Sequence, residues 1–422
     1  MISTRRGFLT GMSGGVAGGL PALAAAPRQP LRITDVRVTL LSHELKDKSW
    51  WTATMEIWKS DAVLVEVFTD KGLVGMGESS PYAGPELLKE TIEAKIRPLL
   101  LGRNPFDVQS LAVGWAGARS GFAAWAGVDA ACWDLIGQAV GKPVYEVLAD
   151  GAGFERKLRM YASGGVEYAW YNRPQALIED AVRCKEAGYT AFKFRIGTEW
   201  KLDGMTMARY IPWVRRLREA VGPEMDLMQE SNMRLTVEEC LELAPVLKDL
   251  GFLWFEEPVR TADPGAIEQH LRIQEALGAK VRVAGGESRG SRYEFKEWMD
   301  RGAYRIVQPD CNVTGLSEAW QIAKMASFRE IPCCPHNWHG GLTTMANAAL
   351  VAATPNRLLL ELNQTYNPFK EEIFEEPLVV RKGYLELPRK PGFGMKLKAG
   401  VRDRFPYIPG NYWRRNPRYG PA

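Results

Sequence analysis

The spacing of apolar residues changes character once along this chain, near position 158. Before it, strand-like runs come first. Ile33, Val36, Val38 and Leu40 mark one, residues 62–68 a second, and Asp70-Lys71-Gly72 turns into a third at residues 73–77. Helical spacing follows around residues 87–100. It returns over 123–140, where Val128, Ala131, Cys132, Leu135 and Ile136 recur on one face. Gly141-Lys142-Pro143 then supplies a helix stop. An α+β module over residues 31–150 is expected.

Beyond it, short apolar runs alternate with amphipathic helical stretches. The expected strands are residues 159–163, 191–195, 226–229, 253–255, 282–284, 305–307, 332–335 and 358–362, with helices such as 175–187, 236–250 and 315–327 between them. Strands recurring about every 25–30 residues with helices between them predict a parallel (β/α) barrel over 158–370. An open doubly wound sheet is the competing topology, but no Gly-x-Gly-x-x-Gly opens any of these helices. The segment from 371 to 422 carries strand-like Leu378-Val379-Val380 and residues 384–387, and is expected to return to the first module. Its last stretch, rich in Pro, Arg and aromatics, reads as a surface or subunit-contact tail.

Composition adds little until the N-terminus. With Arg5 and Arg6 set aside, 52 basic residues face 50 acidic ones. Such a balance gives no reason to expect nucleic acid or an anionic membrane as partner, and favours a small-molecule enzyme. Residues 1–26 are different. Arg5-Arg6, a weakly apolar run from Gly11 to Leu23 and Ala24-Ala25-Ala26 resemble a twin-arginine export signal, which predicts a periplasmic protein with no membrane span once processed. The six cysteines are scattered, with no Cys-x-x-Cys pair, and are expected to be buried thiols rather than disulfides.

Chemistry concentrates where the expected strands end. Glu230, Glu256 and Glu287 follow three successive strands, at the end of a barrel where active sites are built. Three crowded carboxylates repel one another unless a cation joins them, and all-oxygen ligation suits Mg²⁺, with Mn²⁺ the alternative. Lys193 and Arg195 are two apart on one strand and share a face. Asp310 and His336 end the next two strands, and an acid beside an imidazole fixes its tautomer as a general base requires. His339 is a candidate substrate contact, and Glu361 closes the ring on the last strand.

These motifs carry a resemblance. Phe255-Glu256-Glu257-Pro258, Gly285-Gly286-Glu287, Gln308-Pro309-Asp310 with Gly315, and residues 131–135 with Gly141-Lys142-Pro143 resemble the enolase superfamily. The Asp310–His336 pairing resembles its mandelate racemase-like subgroup. The resemblance implies an α/β fold, a (β/α)7β TIM-like barrel under an α+β capping domain, and α-proton abstraction from a carboxylate, commonly an acid sugar. It implies metal ligation by Glu256 and Glu287, and by Glu230 where most members have Asp. Lys193 and Glu361 match residues near the substrate carboxylate. Arg195 replaces a lysine that is usually the second base, and Arg holds its proton with a pKa above about 12. Trp50 and Trp51 fall where members place a specificity loop, and members often assemble, which implies a homo-oligomer. The expected reaction is Mg²⁺-dependent dehydration of an aldonate or aldarate through an enediolate, with His336 taking the α-proton and returning it to the departing oxygen. A racemase or epimerase, or an exported metal-dependent carboxylate-binding protein, are the alternatives.

Overall fold

The computed structural model describes residues 31–111 and 119–420. The expected export signal lies outside the described residues. Within them, no helix is long and apolar enough to cross a membrane.

The first strands in chain order are β1 (Ile33–Glu44), β2 (Trp50–Thr52), β3 (Met55–Ile57), β4 (Lys59–Thr69) and β5 (Val74–Ser79). β4 is the centre of an antiparallel sheet, between β1 and β5. Its nearly unbroken apolar run fits that place, since both of its faces are covered. Val63, Val65 and Val67 pack in one cluster with Val128, Ala131 and Leu135 of the long helix Arg119–Val140. Ala62 and Leu64 pack on the other side with Leu342, Phe369 and Phe374. The helix lies so close to β5 that a Cβ on Gly77 would stand 2.0 Å from the Gly127 carbonyl oxygen.

The barrel strands are β6 (Lys157–Gly164), β7 (Ala191–Arg195), β8 (Asp226–Glu230), β9 (Trp254–Glu256), β10 (Arg282–Gly285), β11 (Ile306–Val307) and β12 (Leu360–Asn363). Neighbours pair in parallel from β6 to β11, and β12 pairs in parallel with β6. Cys333 bridges Val307 to Arg357 and closes the ring. Residues 332–335, expected as a strand, bond to both neighbours, the Cys334 amide to Val307 and the Cys333 amide to Asn356, but form isolated bridges and not a continuous ladder. Pro332 and Pro335 have no N–H to donate, so a ladder cannot extend there.

One inward side chain from each stave fills the barrel: Tyr161, Ala191, Met228, Trp254, Ala284, Ile306, Cys334 and Leu359. Alternation puts the residue two further on in the same direction, one layer nearer the C-terminal mouth. Those residues are Ser163, Lys193, Glu230, Glu256, Gly286, Gln308, His336 and Glu361. An apolar plug thus carries a polar layer above it.

The chain after the barrel divides its contacts. β13 (Val380–Arg381) and β14 (Tyr384–Glu386) form a hairpin that pairs with β6, Leu385 opposite Leu158, and not with the first module as expected. Later residues do cross to that module. The Phe393 amide donates to Asp134 at 2.7 Å, and β15 (Trp413–Arg415) pairs with β3 to complete a small sheet with β2. All six cysteines are free and buried.

Candidate active site

Glu230 and Glu256 end β8 and β9 facing inward. Glu287 arrives differently. Gly286 takes φ +111°, a left-handed value that favours glycine, and a Cβ there would lie 2.4 Å from the Phe295 ring. The bend lets the next residue reach the mouth. One carboxylate oxygen from each of Glu230, Glu256 and Glu287 then lies within 4.8 Å of the others.

Lys193 stands fully buried among the acids. Its Nζ is 3.0 Å from Glu230 and 3.2 Å from Glu361, and bonds to Glu256. Arg195 Nε donates to Glu230 at 3.1 Å, and Asn232 donates to that carboxylate's other oxygen. Glu256 also accepts from Trp254 Nε1 at 2.8 Å and Gln308 Nε2 at 2.6 Å. Glu361 accepts from the Asn337 amide at 2.7 Å. Glu287 Oε2 makes no hydrogen bond among the described residues. Burial pushes the Glu256 carboxyl up to about 7 despite Lys193. Burial acts upward on Glu230 too, but Arg195 and Lys193 outweigh it and hold that acid down at about 2. Lys193 is favoured as a cation, because three glutamates outweigh the cost of burying it.

Glu230, Glu256, Glu287 and Glu361 thus share two fixed cations, and Glu287 keeps an oxygen without a hydrogen bond. A hard divalent cation fits this site: three carboxylates converge, the donors are all oxygen, and negative charge is in excess.

Opposite them, Asp310 caps the short turn Cys311–Thr314, its Oδ1 accepting from the Asn312 amide at 2.9 Å. Its Oδ2 contacts two imidazoles, His336 Nδ1 at 2.7 Å and His339 Nε2 at 3.0 Å. Burial would raise the Asp310 carboxyl, but the two histidines outweigh it and hold it well below the usual range. His336 Nε2 points toward Glu287, 3.4 Å from Oε2. Burial lowers the His336 imidazole, yet Glu287, Glu361 and Asp310 outweigh it and raise it to about 10.

A cavity of about 140 Å³ lies between these groups and the first module. Arg195, Asn232, Glu287, Asp310, His336 and His339 form its polar side. Trp50, Met55, Ile57, Tyr82, Trp338 and Tyr412 form its apolar side. The Arg195 guanidinium lies 3.9 Å from the centre of the Trp338 ring, and Trp50 packs edge-on against the same ring. Lys193 does not line the cavity but sits beneath it. Trp51 takes the other side of β2 and lines a separate cavity with Lys48, Arg173 and Tyr366, away from the carboxylates. Asn232, Tyr82, Trp338 and Tyr412 were not among the expected site residues. Asn232 could have been found two positions past Glu230, and Trp338 between the two histidines. Tyr412 carries no local signal.

Residues 35–149 match the family model of the mandelate racemase / muconate lactonizing enzyme N-terminal domain, and residues 176–401 match the enolase C-terminal domain-like model. Arabinonate dehydratase of Saccharolobus solfataricus is 33% identical over 356 residues, covering 82% of this chain and 90% of that protein. D-galactarolactone cycloisomerase of Agrobacterium fabrum is 30% identical over 394 residues, covering 89% and 99%. The crystal structure of an enolase superfamily member from Polaromonas sp. JS666 aligns with a TM-score of 0.79 at 29% identity, covering 90% of this chain and 98% of that one. With both family domains matched in order and the barrel and cap in place, the chain belongs to the enolase superfamily, in its mandelate racemase-like subgroup.

Proposed function

We propose that this enzyme dehydrates an acid sugar, an aldonate or aldarate, by removing its α-proton and expelling the β-hydroxyl. The observation that carries this reading is the unequal chemistry of two groups that face the glutamates from the cavity. His336 is oriented by Asp310 with its Nε2 toward the carboxylates. Arg195, stacked on Trp338, is favoured as a cation because nearby glutamates outweigh its burial. A racemase needs a base on both sides, and neither Arg195 nor the buried Lys193 ammonium is suited to that role. Relatives named as sugar-acid dehydratases support the same reading.

A Mg²⁺ held by Glu230, Glu256 and Glu287 would supply the positive charge that stabilises an enediolate. The protein's own part is to orient and to move protons. Asp310 fixes a His336 proton on Nδ1, so Nε2 is the nitrogen that accepts the α-proton; the first of the charges that hold a proton on it, Glu287, is one that a bound Mg²⁺ would neutralise. Arg195 and Asn232 hold Glu230 in place, while the aromatic side of the cavity keeps bulk water from the reacting carbons. Mass spectrometry of purified enzyme with a panel of aldonates and aldarates, with and without chelator, tests this. Loss of one water, abolished by chelator and by Glu256→Gln, is expected. Epimerisation across the panel with no loss of water would sink it.

A further inference from the structure

We propose that His339 is the acid that protonates the departing β-hydroxyl, so that the two imidazoles on Asp310 divide the proton transfers between them. The assignment rests on the dehydratase reading above. It starts from one oxygen atom. Asp310 Oδ2 is within hydrogen-bond distance of His336 Nδ1 and of His339 Nε2. An ionised carboxylate oxygen only accepts, so both of those nitrogens carry protons. The nitrogens left over are His336 Nε2, which faces Glu287, and His339 Nδ1.

His339 Nδ1 is buried and makes no hydrogen bond among the described residues, although the side chain is only 2% exposed. A buried polar atom without a partner is destabilising, and this one belongs to a residue that lines the cavity beside His336 and Glu287. The two rings have centroids 6.0 Å apart. Each nitrogen reaches about 3 Å in a hydrogen bond, so neighbouring carbons of one substrate fit between them. Tyr82 lies against the His339 ring at 5.2 Å. The Asp310 carboxylate stands against its other nitrogen, Nε2, at 3.0 Å.

The proton accounting closes. Neutral His336 takes the α-proton on Nε2, the C–H electrons enter the α–β carbon bond, and the β-carbon–oxygen bond breaks. The oxygen takes the proton from His339 Nδ1 and leaves as water. The two imidazoles exchange charge states, so Asp310 faces one cation before and after the step. If His336 performed both transfers, the charge beside Asp310 would change and change back within each turnover.

The test compares wild type with His339→Gln in heavy water on the aldonate panel, following α-hydrogen exchange and loss of water separately. Exchange needs only the base. The variant is expected to keep exchange within about threefold and to lose dehydration by about 10²–10⁴-fold. Fluoride leaves without needing a proton, so a β-fluoro aldonate is expected to be eliminated by the variant within about tenfold of wild type, a separation that follows from acid catalysis alone. Equal loss of exchange and elimination would show that His339 only supports the site, and unchanged dehydration would show that His336 returns the proton itself. Either overturns the assignment alone. Wild-type enzyme that exchanges the α-hydrogen but never loses water overturns the dehydratase reading, and this assignment with it.

Discussion

Two groups of buried acids in this protein look alike by burial and differ in what their oxygens touch. At the seam between cap and barrel, Glu78 accepts from the amides of Gly340 and Thr343, both at 3.1 Å, where the helix Gly341–Ala353 begins. Asp129 accepts from the Ser317 amide at 2.9 Å, and from its hydroxyl, where the helix Leu316–Ser327 begins. Asp134 accepts from the amides of Met76 at 2.9 Å and Phe393 at 2.7 Å. Each ties one part of the chain to another by satisfying backbone donors, two of them at helix starts where such donors lack partners. At the barrel mouth the acids lean mainly on side-chain cations, and Glu287 leaves an oxygen without a hydrogen bond. A buried acid is therefore not a functional signal by itself. At the seam the acids meet backbone donors from distant segments; at the mouth they meet fixed cations and leave a Glu287 oxygen without a hydrogen bond.

That distinction can be broken by substitution. The largest effect is expected at the mouth: His336→Asn should lower turnover by about 10²–10⁴-fold while leaving thermal unfolding within a few degrees of wild type. A variant that loses activity by unfolding would place His336 with the seam.

Asp129 should behave the opposite way. Burial raises its carboxyl to about 6 from an ordinary 3.8, despite the bonds to Ser317. A folded-state pKa above the unfolded one gives stability that is full below about pH 4 and is lost as pH rises through about 6. Urea unfolding should therefore show wild type losing about 3 kcal/mol between pH 4 and pH 8 relative to Asp129→Asn, with turnover little changed. Parallel pH profiles would mean that Asp129 stays ionised throughout.

The smallest effect is expected for Asp134→Asn, which keeps one carbonyl oxygen and leaves a buried amide of Met76 or Phe393 unpaired. A cost of roughly 1–2 kcal/mol in urea unfolding, with no change in turnover, is expected. A fall in turnover larger than the fall in stability would mean that the seam reaches the chemistry.

Much of the mouth was legible because the barrel writes it with period two. Ala191 precedes Lys193, Met228 precedes Glu230, Trp254 precedes Glu256, Cys334 precedes His336 and Leu359 precedes Glu361, each pair on one inward face. Glu287 breaks that phase, and its Gly-Gly prefix is the visible trace of the bend. What was not legible depends on the third dimension. Two adjacent tryptophans give no sign that Trp50 enters the cavity and Trp51 leaves it until the face of β2 is known. The apolar residues 332–335 read as a strand because hydrophobicity outweighed the missing donors of two prolines. Tyr412 reaches the cavity only because β15 pairs with β3, a long-range contact that no local pattern encodes. The hairpin at Val380–Glu386 carried the right strand signal and no information about its partner.

Gly286 has a consequence for how variation in this protein would be interpreted. With φ at +111° and the Phe295 ring 2.4 Å from where a Cβ would stand, every other residue must distort the turn that delivers Glu287. In a saturation scan scored by activity, position 286 would be as intolerant as a metal ligand while having no side chain at all. Intolerance would there measure the aim of a neighbour.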